Sequence, residues 1–276
     1  NKYRGDEWHL KAISILPLPT HTDSKQNTME YLLPFITFGV TFLTSILSGM
    51  AGGGGSFIMT PYWLIIGLTP AQGATTGAFT ALGLGGRSLA AFRGSEHTPK
   101  NKRMIALLLG ITIVSSLLGP LLLNKIDTAT FTPILIGITL VSLPALFLPK
   151  AHSKPVASYG RSLRWVLITA LLITSSFIAS SAFSILITIV LVQLFRLTVL
   201  QSTVLRRMVG VIQSIVIFII LTLLGNFVWH HALAGLSGGI AGSYIGTKIA
   251  IEKGEVFAKW ALVIGAVASI CAMMIL

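Results

Sequence analysis

Cysteine and acidic residues are what this sequence most lacks. One cysteine, Cys271, stands in 276 residues, so no disulfide framework and no cysteine-based metal site can form within the chain. Eight residues are acidic, against 20 Lys and Arg. Asp6, Glu7, Asp23, Glu30, Glu96, Asp127, Glu252 and Glu255 all fall in loops or at the edges of apolar runs. Carriers of cations commonly keep a carboxylate at membrane depth, and its absence argues against a metal-cation or drug-cation carrier. No cluster of His, Cys and carboxylate marks a catalytic centre. His230 and His231 are adjacent but have no third ligand, and they read as surface histidines. The expectation is therefore a protein that is not an enzyme and needs neither cofactor nor metal.

Hydrophobic residues make up 53% of the chain and charged residues 10%, too little polar sequence to cover a soluble surface. Residues 31–50, 104–123, 131–149, 165–183, 208–229 and 255–276 each contain long uncharged apolar runs, and a spanning helix needs about 20 mostly apolar residues. The runs are continuous rather than alternating, which excludes the strand pattern of a β-barrel. The fold class expected is all-α: a polytopic integral membrane protein, multi-pass, in the cell (inner) membrane, with the lipid bilayer as its partner. The net charge of +12 would suggest nucleic acid in a soluble domain. Here Lys and Arg collecting in cytoplasmic loops explain it, and the aromatic residues lie in apolar spans rather than among the basic ones. No nucleic-acid partner is expected, and a homo-oligomer stays open.

The order of segments repeats. A span at 31–50, a short apolar piece at 56–67 and spans at 70–92, 104–123 and 131–149 are followed by a span at 165–183, a short piece at 184–196 and spans at 199–226, 231–251 and 255–276. "GLTPAQG" (67–73) resembles "RLTVLQS" (196–202): Leu68, Thr69 and Gln72 match Leu197, Thr198 and Gln201 at one constant offset. The chain divides into an N-terminal extramembrane extension (1–29), a first transmembrane repeat (30–149), a basic cytoplasmic linker (150–164) and a second transmembrane repeat (165–276). Each short piece suits a broken or re-entrant helix better than a full crossing. Loops 93–103 and 149–164 carry four basic residues each. Placing them, with Arg196, Arg206, Arg207, Lys248, Lys253 and Lys259, on the cytoplasmic side makes the two pseudo-symmetric repeats inverted, with both termini outside.

Four glycines, Gly52 to Gly55, interrupt the apolar sequence before Ser56. A phosphate-binding loop would need Gly-Lys-Ser/Thr there, which is missing. A packing role needs only small residues at helical spacing, as in Gly235/Gly239 and Gly242/Gly246. A helix break at membrane depth is tolerated where it lines a watery cavity, and the N–H groups at the start of the next helix then offer a site for a small anion. The second half answers with "ASSAFS" (179–184), whose Ser180 and Ser181 either face that site or back-bond within their own helix. Thr75, Thr76 and Thr80 lie in span 70–92, and Thr203, Gln213 and Ser214 in span 199–226. Gln213 is either an interhelical clamp or a ligand. For Arg207 and Lys248, snorkelling to the interface is the expectation; Arg87 and Arg206 would either snorkel or guard the inner mouth.

The stretch "GMAGGGGSFIMTPYWLIIGLTPAQGATTGAFTALGLGG" (49–86) resembles the signature of the TauE/SafE family of sulfite exporters. Gly52 to Gly55, Pro61, Gly67, Pro70 and Ala74-Thr75-Thr76 carry the resemblance, with "RSLAAFRGS" (87–95) and "LLGITIVSSLLGPLLL" (108–123). It covers the first half. In the second half, "ASSAFS" replaces the family's repeated glycine cluster. The resemblance implies a secondary transporter exporting a small sulfur-containing anion of the sulfite, sulfonate or sulfoacetate type by alternating access. Gly52, Gly53, Gly54, Gly55, Ser56, Thr75 and Thr76 would form one side of the substrate site, Ser180, Ser181 and Gln213 the other, with Arg87 and Arg206 as inner-mouth basic residues. The alternatives are an anion channel, an uptake permease for another small anion, or a non-transporting membrane scaffold.

Overall fold

The computed structural model describes residues 23–51, 56–95, 101–146, 161–178, 187–188, 190–192, 195 and 197–273. Among these residues the fold is all-helical. Eight helices are bounded among the described residues: α1 (Asp23–Ala51), α2 (Ser56–Ile65), α3 (Pro70–Phe92), α4 (Lys102–Leu123), α5 (Thr128–Leu146), α6 (Arg161–Ile178), α7 (Val199–Leu223) and α8 (Trp229–Met273); residues 187–188, 190–192 and 195 are helical as well. Three are long and apolar enough to cross a membrane, over Leu32–Met50, Lys102–Leu123 and Leu200–Leu223. The two spans expected at 231–251 and 255–276 correspond to two helical arms of α8, joined at a non-helical break at Gly254. Gly254, at φ 79°, adopts a left-handed conformation that glycine takes without a Cβ clash, and it turns the second arm of α8.

On two of these helices hydroxyl side chains face inward and large apolar side chains face outward. On α1, Thr37, Thr41, Thr44, Ser45 and Ser48 are buried, while Leu32, Phe35, Ile36 and Leu43 are exposed. On α4, Thr112, Ser115 and Ser116 are buried, while Val114, Leu117, Leu118 and Leu121 are exposed. Apolar tails in contact with lipid cost nothing, whereas a hydroxyl facing hydrocarbon would lack partners. Many of the inward hydroxyls bond their own backbone: Thr41 Oγ1 donates to Thr37 O at 2.6 Å, Thr44 Oγ1 to Val40 O at 2.8 Å and Thr112 Oγ1 to Leu108 O at 2.8 Å. This local bonding lets a helix bury a hydroxyl without a tertiary partner.

Local chemistry sets the helix ends. After α2, Gly67 stands at φ 87°; its N–H reaches Leu64 O at 3.0 Å and the Leu68 N–H reaches Trp63 O at 3.0 Å. That is a Schellman cap, and Gly225 builds the same cap after α7 with Thr222 and Leu221. Thr69 then opens α3. Its hydroxyl accepts from Gln72 N at 3.2 Å, and Gln72 Oε1 accepts from Thr69 N at 3.1 Å. Thr198 and Gln201 open α7 with the same reciprocal pair, each bond at 3.1 Å. The residues matched in sequence thus perform one task, a capping box. In the loop before α5, Asp127 Oδ1 accepts from Thr130 N at 3.0 Å. Hydrogen bonds from Thr130 hold the Asp127 carboxyl below its ordinary range.

Helices α1 and α3 lie against α8, helices α6 and α7 lie against α4, and α3 crosses α7. Exchanging α1 with α6, α3 with α7 and α4 with α8 leaves these contacts unchanged. Phe79 meets Phe218 with ring centroids 5.0 Å apart, and further on, Gly85 meets Val211. Residue numbers rise on α3 as they fall on α7, so the two helices that share the capping box run antiparallel. Helices α1 and α8 run parallel instead: Gly238 abuts Phe38 and Thr41, Gly242 abuts Phe42 and Ser45, and Gly246 abuts Ile46. A second glycine face of α8, Gly235 and Gly239, lies on Thr80 of α3. Small residues bring membrane helices into backbone contact.

A Cβ added at Gly242 would lie 2.2 Å from Phe42 O, and one at Gly246 2.0 Å from Ile46 O. Gly242→Leu should destabilise the purified protein by more than the ~1–3 kcal/mol usual for overpacking, because the obstacle is backbone. Gly86, whose added Cβ meets nothing within 4 Å, is the control. Gly86→Ala should stay within ~1 kcal/mol of the parent or exceed it. Thermal unfolding of both variants in detergent checks this.

Candidate functional site

A cavity of about 190 Å³ opens where α1, α2, α3, α6 and α7 meet. Its charge comes from Arg206 and Arg207, eight and nine residues after the Thr198 cap, or ~12–14 Å along α7 at 1.5 Å per residue. Both arginines line the cavity, and none of its described lining residues is acidic. Arg207 is buried. Its Nη2 donates to the backbone oxygen of Ser48 and, at 2.9 Å, to Ser48 Oγ. Ser48 lies in the last turn of α1, where carbonyls have no partner within the helix and the helix dipole is negative. A guanidinium there satisfies an orphan acceptor and neutralises the dipole end.

Among the described residues Arg206 has no such partner. Its Nε and Nη2 are buried there without an acceptor, as are Nε of Arg207 and the indole Nε1 of Trp63, which also lines the cavity. A buried N–H left unpaired costs roughly 1–3 kcal/mol, more when the group is charged. These atoms only donate, so whatever satisfies them, a water or an anion, must accept hydrogen bonds. Trp63 is seated by glycine: Cβ atoms built on Gly73 and Gly77 would lie 3.0 Å from its Cβ and 3.3 Å from its Nε1.

The other candidate residues scatter around this centre. Gln213 lines the cavity, and its Nε2 donates to Ser176 Oγ at 3.1 Å. Ser176 Oγ is also 3.0 Å from Ser115 Oγ, so Gln213 ties α7 to α6 and α4. Thr75 is buried and spends its hydroxyl on Ala71 O at 2.7 Å. Thr76 is buried with an unpartnered Oγ1. Neither is among the cavity's lining residues. Arg87 is exposed and stacks on Tyr244, 4.6 Å from the ring centroid, with Lys248 Nζ 5.0 Å from the same ring. Arg206 thus belongs to the cavity, and Arg87 does not line it. Gly52, Gly53, Gly54, Gly55, Ser180 and Ser181 lie outside the described residues, and of Ser56 only the backbone, which starts α2, is described.

One expectation is corrected. Arg207 does not snorkel to the interface; the end of α1 supplies an acceptor at depth. Ser48, Thr44 and Ser45, which line the cavity, were not singled out by sequence reasoning. A signal for them existed: hydroxyls at Thr37, Thr41, Thr44 and Ser48 follow the spacing of one helix face.

The family model for the sulfite exporter TauE/SafE matches residues 37–273. A "Probable membrane transporter protein" from Haemophilus influenzae (strain ATCC 51907 / DSM 11121 / KW20 / Rd) is 27% identical over 232 residues, covering 83% of this chain and 89% of that protein. No solved structure matches. The match runs through α1 to α8 and takes in every described wall of the cavity, and the chain belongs to the sulfite exporter TauE/SafE family of membrane transport proteins.

Proposed function

We propose that this membrane transporter exports a small sulfur-containing anion, of the sulfite, sulfonate or sulfoacetate type, across the inner membrane, and that the anion binds in the cavity beside Arg206. The observation that carries the reading is the set of buried N–H donors on Arg206, Arg207 and Trp63 that have no acceptor among the described residues. A tetrahedral or pyramidal oxyanion presents several acceptor oxygens and fits guanidinium geometry. The glycine break at Gly52–Gly55 would add backbone N–H groups from the start of α2.

Alternating access fits an inverted-repeat architecture. Its support is the shared capping box of α3 and α7, their antiparallel crossing and the exchange symmetry of the helix contacts. Helix α2, ten residues long, is ~15 Å by helical rise, half of a hydrocarbon core of about 30 Å, and is read as re-entrant. Under the positive-inside rule, the end with Arg87, Arg93 and Lys248 is cytoplasmic and the loop at 226–231 faces outside.

In liposomes loaded with sulfite, the parent protein should accelerate efflux. Arg206→Gln should cut the rate at low substrate at least ~10-fold, the loss of one charged hydrogen bond. Sulfite efflux equal in parent and protein-free vesicles would contradict the substrate reading, and full efflux by Arg206→Gln would contradict the site. Ser48→Ala keeps the carbonyl that accepts from Arg207 and should cost less than Arg207→Gln, which leaves that carbonyl orphaned. Thermal unfolding of these two variants orders them.

A further inference from the structure

At the end of α8 away from Arg87 and Lys248, a second polar cluster joins three helices. His231 Nδ1 on α8 is 3.2 Å from Thr37 Oγ1 on α1, and Thr37 Oγ1 is 2.7 Å from Tyr62 Oη on α2. Thr37 and Tyr62 are buried and His231 is half-buried. Tyr62 leans on Trp63 with ring centroids 5.2 Å apart. Met59, Thr60, Trp63 and Leu64 of the same short helix line the cavity. Helix α2 is therefore a wall of the cavity and also the far end of a hydrogen-bond chain that starts at a histidine.

We infer that His231 is a proton-binding site whose occupancy sets the position of α2. With the ring neutral and Nδ1 accepting, Tyr62 donates its O–H to Thr37 Oγ1 and Thr37 donates its own to Nδ1. Every hydroxyl hydrogen is used. A proton taken from the aqueous phase onto Nδ1 makes that atom a donor. Thr37 then accepts from it, and three hydrogens share two links: when Thr37 turns its own hydrogen to Tyr62 Oη, the Tyr62 hydrogen loses its acceptor in a buried place. An unsatisfied buried donor is unfavourable, and moving α2 until Tyr62 meets water relieves it. Loss of the proton to the aqueous phase restores the chain.

The groups facing this cluster are few. On α8, His230 is exposed and stacked on Trp229. Helix α2 brings Tyr62, α3 brings the hydroxyl of Thr80 near Gly235, and α1 brings Thr37; the Glu30 side chain lies outside the described residues. Histidine is the side chain whose ordinary range lies between pH 5 and 8, so this chain has a means of sensing protons although no carboxylate lies within its apolar spans. The inference needs the cavity wall but no particular anion, so a protein that fails to move sulfite still tests it.

The test is hydrogen–deuterium exchange of the purified protein, with protection factors corrected for intrinsic exchange at each pH. From pH 8 to pH 5, protection of Ser56–Ile65 should fall about tenfold or more, as in a local opening, while α4 stays constant. His231→Gln, which keeps an acceptor but gains no proton, should hold α2 protected at every pH. Tyr62→Phe should leave it weakly protected at every pH. A flat profile in the parent, the parent's profile in His231→Gln, or a loss shared equally by α4 would overturn the inference.

Discussion

The bond between Arg207 and the last turn of α1 is the constraint on which the site depends. It places a guanidinium against Ser48 O and Oγ, at the point where α1 ends and the chain enters the glycine run. A lone cation at membrane depth is costly; here the negative end of a helix and an orphan carbonyl offset that cost without a carboxylate. With Arg207 held in this way, the neighbouring Arg206 stands beside the cavity with its Nε and Nη2 unpartnered among the described residues. One arginine ties α7 to α1, and under the proposal the other meets the anion.

That division follows from the relation between the two halves. The offset that matches Thr69 with Thr198 sets Gly77 and Ala78 against Arg206 and Arg207, and Leu84 and Gly85 against Gln213 and Ser214. Helix α3 contributes small residues, which seat Trp63 and leave room; α7 contributes charge and an amide. The two helices that share a capping box thus bring different side chains to the cavity.

Much of the scaffold was legible in the sequence. Thr69 with Gln72 and Thr198 with Gln201 announce helix starts by local chemistry, and α3 runs over the expected 70–92. The glycines of α8 were readable as small residues at four-residue spacing, but not which helix each face would meet. Gly235 and Gly239 go to α3, and Gly238, Gly242 and Gly246 to α1. The site was less legible, because its partners are distant in sequence and one is backbone. Nothing local to Arg207 announces the Ser48 carbonyl 159 residues away. Thr75, an obvious hydroxyl in an apolar span, turns its hydrogen to its own helix. A residue list cannot distinguish these outcomes, whereas the place where a helix ends does.

The most direct measurement is ligand-induced stabilisation of the purified protein, with sulfite compared against chloride at equal ionic strength. A ligand bound only by the folded state raises its stability by RT ln(1 + [L]/Kd), about 2.7 kcal/mol at a hundredfold excess over Kd. The account predicts that sulfite raises the unfolding midpoint in a concentration-dependent way and that Arg206→Gln removes the shift while remaining folded. An equal shift in that variant would contradict the placement of the anion beside Arg206.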